Sequence, residues 1–404
     1  MKSRVGVKNA GTPALETRHF SSGLNSTFNG AQLTFAEYIM QSRNMVRKVR
    51  SANSPISLSR AVEGNSPFML DPAGDNIIGK NKTWRKGVLL THGLSDSPYF
   101  MRHISAIFQS RGFRVLVVLL PGHGTQPGDM LDVTWQEWVK TVAYGTGRLA
   151  EEVDEVYLGG YSAGGALSIY QSLQDKRVKG LFLFAPALDI NHKAAYASWH
   201  KLLSWHFPKL KWLDIKPDKD LYKYESFANN TAAQMYDLTQ VIHTQLELHK
   251  LNIPIFAVAS EDDKTVNTAV TLEFIIKQTN PSNKMIVYTT DLNKLAQGDA
   301  DSQIEWVDSV VSELKILGSA HTAILISPDD EHYGQDGDYA NCIHYYPDEM
   351  EKYNACTSHP KDCWQGEVTQ ANLNAGTLRR LMYNPNFATL TDSLNAFINS
   401  LPET

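Results

Sequence analysis

Val156-Tyr157-Leu158-Gly159-Gly160-Tyr161-Ser162-Ala163-Gly164-Gly165 decides the fold. The apolar run Val156 to Leu158 reads as a buried strand, and Ala166 to Tyr170 as the start of a helix. Between them lies Gly160-x-Ser162-x-Gly164. A serine on such a strand-to-helix turn has a strained backbone. Side chains beside it would collide with the strand and helix, so glycines are required. The turn lifts the hydroxyl above the sheet edge and sets the free N–H groups of a helix start beneath it. The pattern is that of a nucleophile elbow; the plainer alternative is an ordinary glycine-rich strand-to-helix turn.

The same rhythm extends on both sides. Upstream, Gly87 to Leu90 and Arg114 to Leu120 read as buried strands. The first ends in Thr91-His92-Gly93-Leu94-Ser95-Asp96-Ser97, and Pro98 follows at the first turn of a helix, where its missing N–H costs nothing. The second closes in Pro121-Gly122-His123-Gly124. Thr34-x-x-Glu37 and Thr134-x-x-Glu137 are capping boxes that open helices to about Arg50 and Glu152. A short strand is expected near Phe68 to Leu70. Downstream, Val178 to Phe184, Ile253 to Ala259 and Met285 to Thr290 read as strands, with one more expected over Glu313 to Leu317. Alternating strands and helices at this spacing predict an α/β protein, a mostly parallel sheet with helices on both faces. Ala185 to Leu251 breaks the rhythm. Its aromatics and lysines suggest helices inserted over the sheet's C-terminal edge. The first thirty residues read as a loose arm, and a last amphipathic helix runs from Phe387 to Leu401. The expected organisation is therefore 1–82 arm and helix, 83–184 first part of the core, 185–251 cap insertion, and 252–404 second part of the core with a C-terminal extension.

Composition removes several function classes. The 404 residues carry a formal charge of −5 and no basic block, so nucleic-acid binding has no electrostatic support. No stretch approaches the roughly 20 apolar residues of a membrane span. Met1 to Asn25 is polar and lacks the apolar centre of a signal peptide. The compartment, whether cytoplasmic, periplasmic or secreted, and the oligomeric state stay open. Cys342, Cys356 and Cys363, with His344 and His359 among them, allow one disulfide, unpaired thiols or, less readily, a zinc site. No cofactor and no catalytic metal are expected.

A serine hydroxyl needs a base to take its proton and a third group to hold that base. Serine, carboxylate and histidine occur here in that chain order, each after an expected strand, and the C-terminal ends of parallel strands converge on one crevice. Ser162, the His92-Gly93 turn, the Pro121 to Gly124 turn, Asp263-x-x-Val266 and Ser319-x-His321 together resemble the α/β-hydrolase fold, most of all bacterial carboxylesterases and monoacylglycerol-lipase-like serine hydrolases. The resemblance covers about Gly87 to Ser327. It implies Ser162 as nucleophile, Asp263 as acid, His321 as base, and the backbone N–H groups of Leu94 and Ala163 as the oxyanion hole. Asp262 and Glu261 are rivals for the acid, and His332 for the base; His92 and His123 are expected to order their loops. The acid-to-histidine segment is longer than the family usually has. The insertion resembles a cap, with Trp199, Trp205 and Trp212 either lining an acyl pocket or only packing the cap. The implied activity is hydrolysis of a small-molecule carboxylic ester of medium or long acyl chain through an acyl-enzyme. Amide, thioester or peptide hydrolysis uses the same groups, and a ligand-binding protein of this fold without catalysis is the rival from another class.

Overall fold

The computed structural model describes residues 13–50, 58–74, 77–189, 208–297 and 303–402. Its first helix, α1 (Phe35–Arg50), opens as predicted: the Thr34 N–H donates to Glu37 Oε2 at 2.8 Å, and the Glu37 N–H to Thr34 Oγ1 at 3.3 Å. Phe35, Tyr38, Ser42, Val46 and Val49 recur at helical spacing and form its buried stripe. Short α2 (Leu58–Gly64) follows.

The sheet then builds outward from its centre. In chain order come β1 (Phe68–Leu70), β2 (Trp84–Thr91), α3 (Arg102–Ser110), β3 (Phe113–Val118), α4 (Trp135–Glu152), β4 (Val153–Tyr161), α5 (Ala163–Gln174) and β5 (Val178–Phe184). Two short strands, β6 (Trp212–Asp214) and β7 (Phe227–Ala228), pair with each other and lead into α6 (Asn229–Leu248). The sheet resumes with β8 (Ile255–Ser260), α7 (Thr268–Lys277), β9 (Lys284–Thr289), α8 (Leu292–Gln297) and β10 (Ile304–Asp308). The order across the eight-stranded sheet is β1-β3-β2-β4-β5-β8-β9-β10. Only β1 runs antiparallel to its neighbour. Strands β3 and β8 are buried at every position and β5 at all but Lys179, as expected when helices cover both faces. The tail adds α9 (Met350–Ser358), β11 (Trp364–Gly366), α10 (Gln370–Asn374), β12 (Leu378–Arg380) and α11 (Phe387–Ser400), with β11 and β12 paired in parallel.

Four expectations change. The described part of the arm is docked rather than loose. Buried Asp129 accepts hydrogen bonds from the Ser22 N–H (2.6 Å) and hydroxyl (2.8 Å), and His19 is buried against Ser226. A buried carboxylate needs donors, and the polar arm supplies them. The Thr134 capping box does not form: Glu137 turns away to accept the Phe28 N–H at 2.8 Å, so a tertiary partner displaces the local cap. The last strand of the eight-stranded sheet is β10, not Glu313 to Leu317. The latter stretch is a 3₁₀ turn at Ser312–Leu314 followed by Lys315 at φ 55°, a left-handed position, and Ile316 then makes isolated bridges to Val311 and Gln365 rather than joining the sheet. Finally, α6 packs on α4 and α5, where it serves as a crossover between β5 and β8, although it lies within the stretch expected as cap.

Cys342 and Cys356 form a disulfide, while Cys363 is a buried free thiol. No helix among the described residues is long and apolar enough to cross a membrane.

Candidate active site

The turn between β4 and α5 has the strain its sequence requires. Ser162 sits at φ 53°, ψ −113°, and its N–H donates to the Phe184 carbonyl at 2.9 Å. A Cβ on Gly164 would stand 2.0 Å from the Thr91 carbonyl oxygen, and one on Gly160 would stand 2.2 Å from Gly164. Glycine at both positions lets strand, turn and helix approach this closely. Ala163 is the first residue of α5, so its N–H has no acceptor within the helix.

The turn after β2 lies beside the elbow, as the Gly164–Thr91 approach shows. His92 orders it: Nδ1–H donates to the Gly93 carbonyl at 2.8 Å, and Nε2 accepts the Leu120 N–H at 3.1 Å. Burial, with His123 adjacent, holds the His92 imidazole well below its ordinary pKa, so the ring stays neutral in this tautomer. His123 bonds the Pro121 carbonyl and is pushed down to about 4 by burial. Both histidines thus order loops, as expected. Lys223 adds something the sequence did not signal: it pairs with buried Asp96 and donates to Ser95 Oγ at 3.1 Å, while the Tyr224 N–H donates to the Ser95 carbonyl at 2.8 Å. The loop carrying Leu94 is therefore clamped by Lys223 and Tyr224.

Beyond β8 and β10 the remaining side chains converge on Ser162. His321 Nε2 lies 3.0 Å from Ser162 Oγ, and its Nδ1 lies 2.6 Å from Asp263 Oδ2. The other carboxylate oxygen of Asp263 accepts the Thr265 and Val266 N–H groups at 2.7 and 3.0 Å. Burial pushes the Asp263 carboxyl up, but His321 and those two N–H groups outweigh it, so its pKa falls below the ordinary carboxylate value. Asp263 is thus held ionised against the imidazole.

The rivals point elsewhere. Asp262 accepts from Ser309 Oγ (3.1 Å) and the Ser319 N–H (3.2 Å), and burial raises its pKa. Glu261 bonds Thr289 and Lys294. His332 is buried between Asp220, at 3.3 Å, and Asp338. Trp212 is buried with its ring edge-on to His19, centroids 5.2 Å apart. Trp199 and Trp205 lie outside the described residues. Tyr161, Glu367 and Arg380 escaped the sequence reading. The Tyr161 hydroxyl donates to the His321 carbonyl at 2.9 Å, and its ring lies 5.1 Å from the imidazole. Its place beside the elbow was the one available signal; Glu367 and Arg380 carried none.

The arrangement can transfer a proton from a hydroxyl to an imidazole whose cationic form an ionised carboxylate stabilises. Several known proteins are similar to this chain. The family model described as serine aminopeptidase, S33 matches residues 82–291. A thermostable monoacylglycerol lipase of Bacillus sp. (strain H-257) is 29% identical over 181 residues, 45% of this chain and 71% of the relative. A carboxylesterase of Bacillus subtilis (strain 168) is 23% identical over 187 residues, 45% of this chain and 74% of the relative. A solved structure from work on LipS and LipT, two metagenome-derived lipolytic enzymes, is 21% identical and covers 58% of this chain and 95% of its own, with a TM-score of 0.46.

Proposed function

The chain belongs to the S33 serine aminopeptidase family of α/β-hydrolases, and from that membership and the geometry around Ser162 we propose that it hydrolyses carboxylic esters through an acyl-enzyme. The observation that carries the reading is the continuous chain Ser162 Oγ, His321, Asp263, with contacts of 3.0 and 2.6 Å. His321 Nε2 takes the hydroxyl proton as Ser162 Oγ attacks the ester carbonyl. The oxyanion forms against the N–H groups of Leu94 and Ala163, each such donor contributing about 3 kcal/mol in the transition state. His321 then protonates the departing alkoxide. Water, deprotonated by the same imidazole, attacks the acyl-enzyme; the acyl–Oγ bond breaks, the imidazolium returns its proton to Ser162 Oγ, and the acid leaves. Asp263 keeps Nδ1 protonated and stabilises the imidazolium at each stage.

Two relatives bearing lipase and esterase names favour an ester over an amide. The family description favours a second reading, release of an N-terminal amino acid by the same groups. Medium or long acyl chains suit the aromatic-rich stretch 185–251.

A fluorophosphonate probe and p-nitrophenyl esters test the reading together. Wild-type protein should be labelled at Ser162 and turn over esters; Ser162→Ala should fold, escape labelling and lose about 10⁴-fold or more in kcat. Ester turnover surviving in folded Ser162→Ala would refute it. Aminoacyl p-nitroanilides cleaved faster than esters would move the assignment to the second reading.

A further inference from the structure

An ion pair from the tail, with its carboxylate buried and its guanidinium half-buried, touches both loops of the site. Glu367 is 1% exposed. Its Oε2 accepts the backbone N–H of His321 at 3.1 Å and the Arg380 Nη2–H at 2.8 Å, while Arg380 Nε lies 2.7 Å from Oε1. Arg380 Nη2 also donates to Thr265 Oγ1 at 2.9 Å. Thr265 in turn donates its N–H to Asp263. Around this pair the tail grips the histidine loop by its backbone. The Leu317 N–H donates to the Gln365 carbonyl at 2.9 Å, and Thr322 Oγ1 donates to the Leu381 carbonyl at 2.7 Å. Both charged residues lie beyond residue 291, where the family match ends.

We propose that Glu367 and Arg380 are positioning residues: the guanidinium, through Nη2, holds the carboxylate that accepts the His321 backbone N–H, ties the same assembly to the Asp263 loop, and balances the charge around the imidazole. The inference rests on the assignment of Ser162, His321 and Asp263 made above. A guanidinium is suited to this work because it stays charged and its Nη2, with two N–H donors fixed in one plane, serves Glu367 and Thr265 at once. A lone carboxylate at this burial would be strongly disfavoured; beside Arg380 it stays ionised. The imidazole is faced by Asp263, Tyr161 and Asp96, and the pair meets the backbone N–H of the same residue. His344 also lies near the pair, and burial pushes it down to about 4.

The test is the pH profile of kcat/KM, with kcat counted per Ser162 titrated by fluorophosphonate. Glu367→Gln keeps the shape and leaves Arg380 positive, which disfavours the imidazolium. The acidic limb should move to lower pH by about half a unit or more. Arg380→Gln leaves a carboxylate facing His321, and the limb should move to higher pH. The double variant should return it near the wild-type position. Each single variant should lose roughly tenfold or more in kcat per titrated site, with KM little changed, because a small misplacement of a reacting group is costly. A tail that only docks would lower the melting temperature and the titratable fraction but leave the limb unmoved in all three variants, and that result overturns the proposal. Should Arg380→Gln not fold, the isosteric Glu367→Gln decides alone. Wild-type protein that is not labelled at Ser162 would overturn the serine-hydrolase reading and this inference with it; labelling with an unmoved limb overturns this inference only.

Discussion

Asp262 and Asp263 are neighbours in sequence and opposites in environment. Asp263 accepts two backbone N–H groups and meets His321, whereas Asp262 faces Ser309 and Ser319. Asp263→Asn should therefore cost about 10⁴-fold in kcat, because the imidazole loses its partner and its tautomer. Asp262→Asn keeps an acceptor for the Ser319 N–H and should cost less than about tenfold in kcat. Esterase assays on the two folded variants check this, and a dead Asp262→Asn beside an active Asp263→Asn would reverse the assignment. A second acidic residue controls stability. Asp330 accepts from Tyr99, His103 and the N–H groups of His332 and Tyr333. Burial pushes its carboxyl up, but His103 and the two N–H groups bring it down to about 2, against an ordinary 3.8. A folded-state pKa below the unfolded one stabilises the fold above the unfolded value, and that stability is lost as pH falls through the folded one. Melting temperature should thus drop between about 3.8 and about 2 more steeply in wild type than in Asp330→Asn.

At the scale of elements, β12 has three anchors. It pairs with β11, its Arg380 N–H donates to the Asn341 carbonyl at 2.8 Å, and the Leu378 carbonyl faces the Cys356 sulfur. Asn341 adjoins Cys342, so the disulfide over a separation of 14 residues ties α9 to the strand that carries Arg380. Replacing both cysteines by serine should remove about 2–4 kcal/mol of stability, read from urea unfolding. Activity at low temperature should survive, since the Glu367–Arg380 pair and its backbone contacts remain. A double variant as stable as wild type would show that the tail is held by packing alone.

Across the whole molecule, residues 212–226 meet the arm, the loop after β2 and the tail. Trp212 stacks edge-on against His19 of the arm, and Lys223 clamps Asp96 beside Leu94. If the cap encloses an acyl chain, kcat/KM should climb several-fold with each early CH₂, since burying one gains about 0.8 kcal/mol, and then level off. Trp212→Ala should lower the melting temperature without flattening that climb, because the ring is occupied by the arm; Trp199→Ala or Trp205→Ala should flatten it more for laurate than for acetate. A p-nitrophenyl series from acetate to laurate measures both. Activity falling steadily from acetate would mean that the aromatics only pack the cap.

Local chemistry is written in the order of residues, and there the sequence by itself determined a great deal. Gly160-x-Ser162-x-Gly164 admits few backbone conformations, and the runs around Val88, Val117 and Leu158 have no stable place except inside a sheet covered on both faces. Those two facts were enough for the parallel sheet, the elbow and the convergence of strand ends. Strand β10 was misplaced because it is an edge strand, half-buried, with weak alternation. Only the tertiary structure decided which of several adjacent groups would meet. Asp263 faces the histidine and Asp262 does not, Glu137 leaves its cap for Phe28, and Glu367 reaches the histidine from a distant tail. Such choices depend on distances between segments far apart in the chain, where one buried charge satisfied or left unpaired outweighs any local preference.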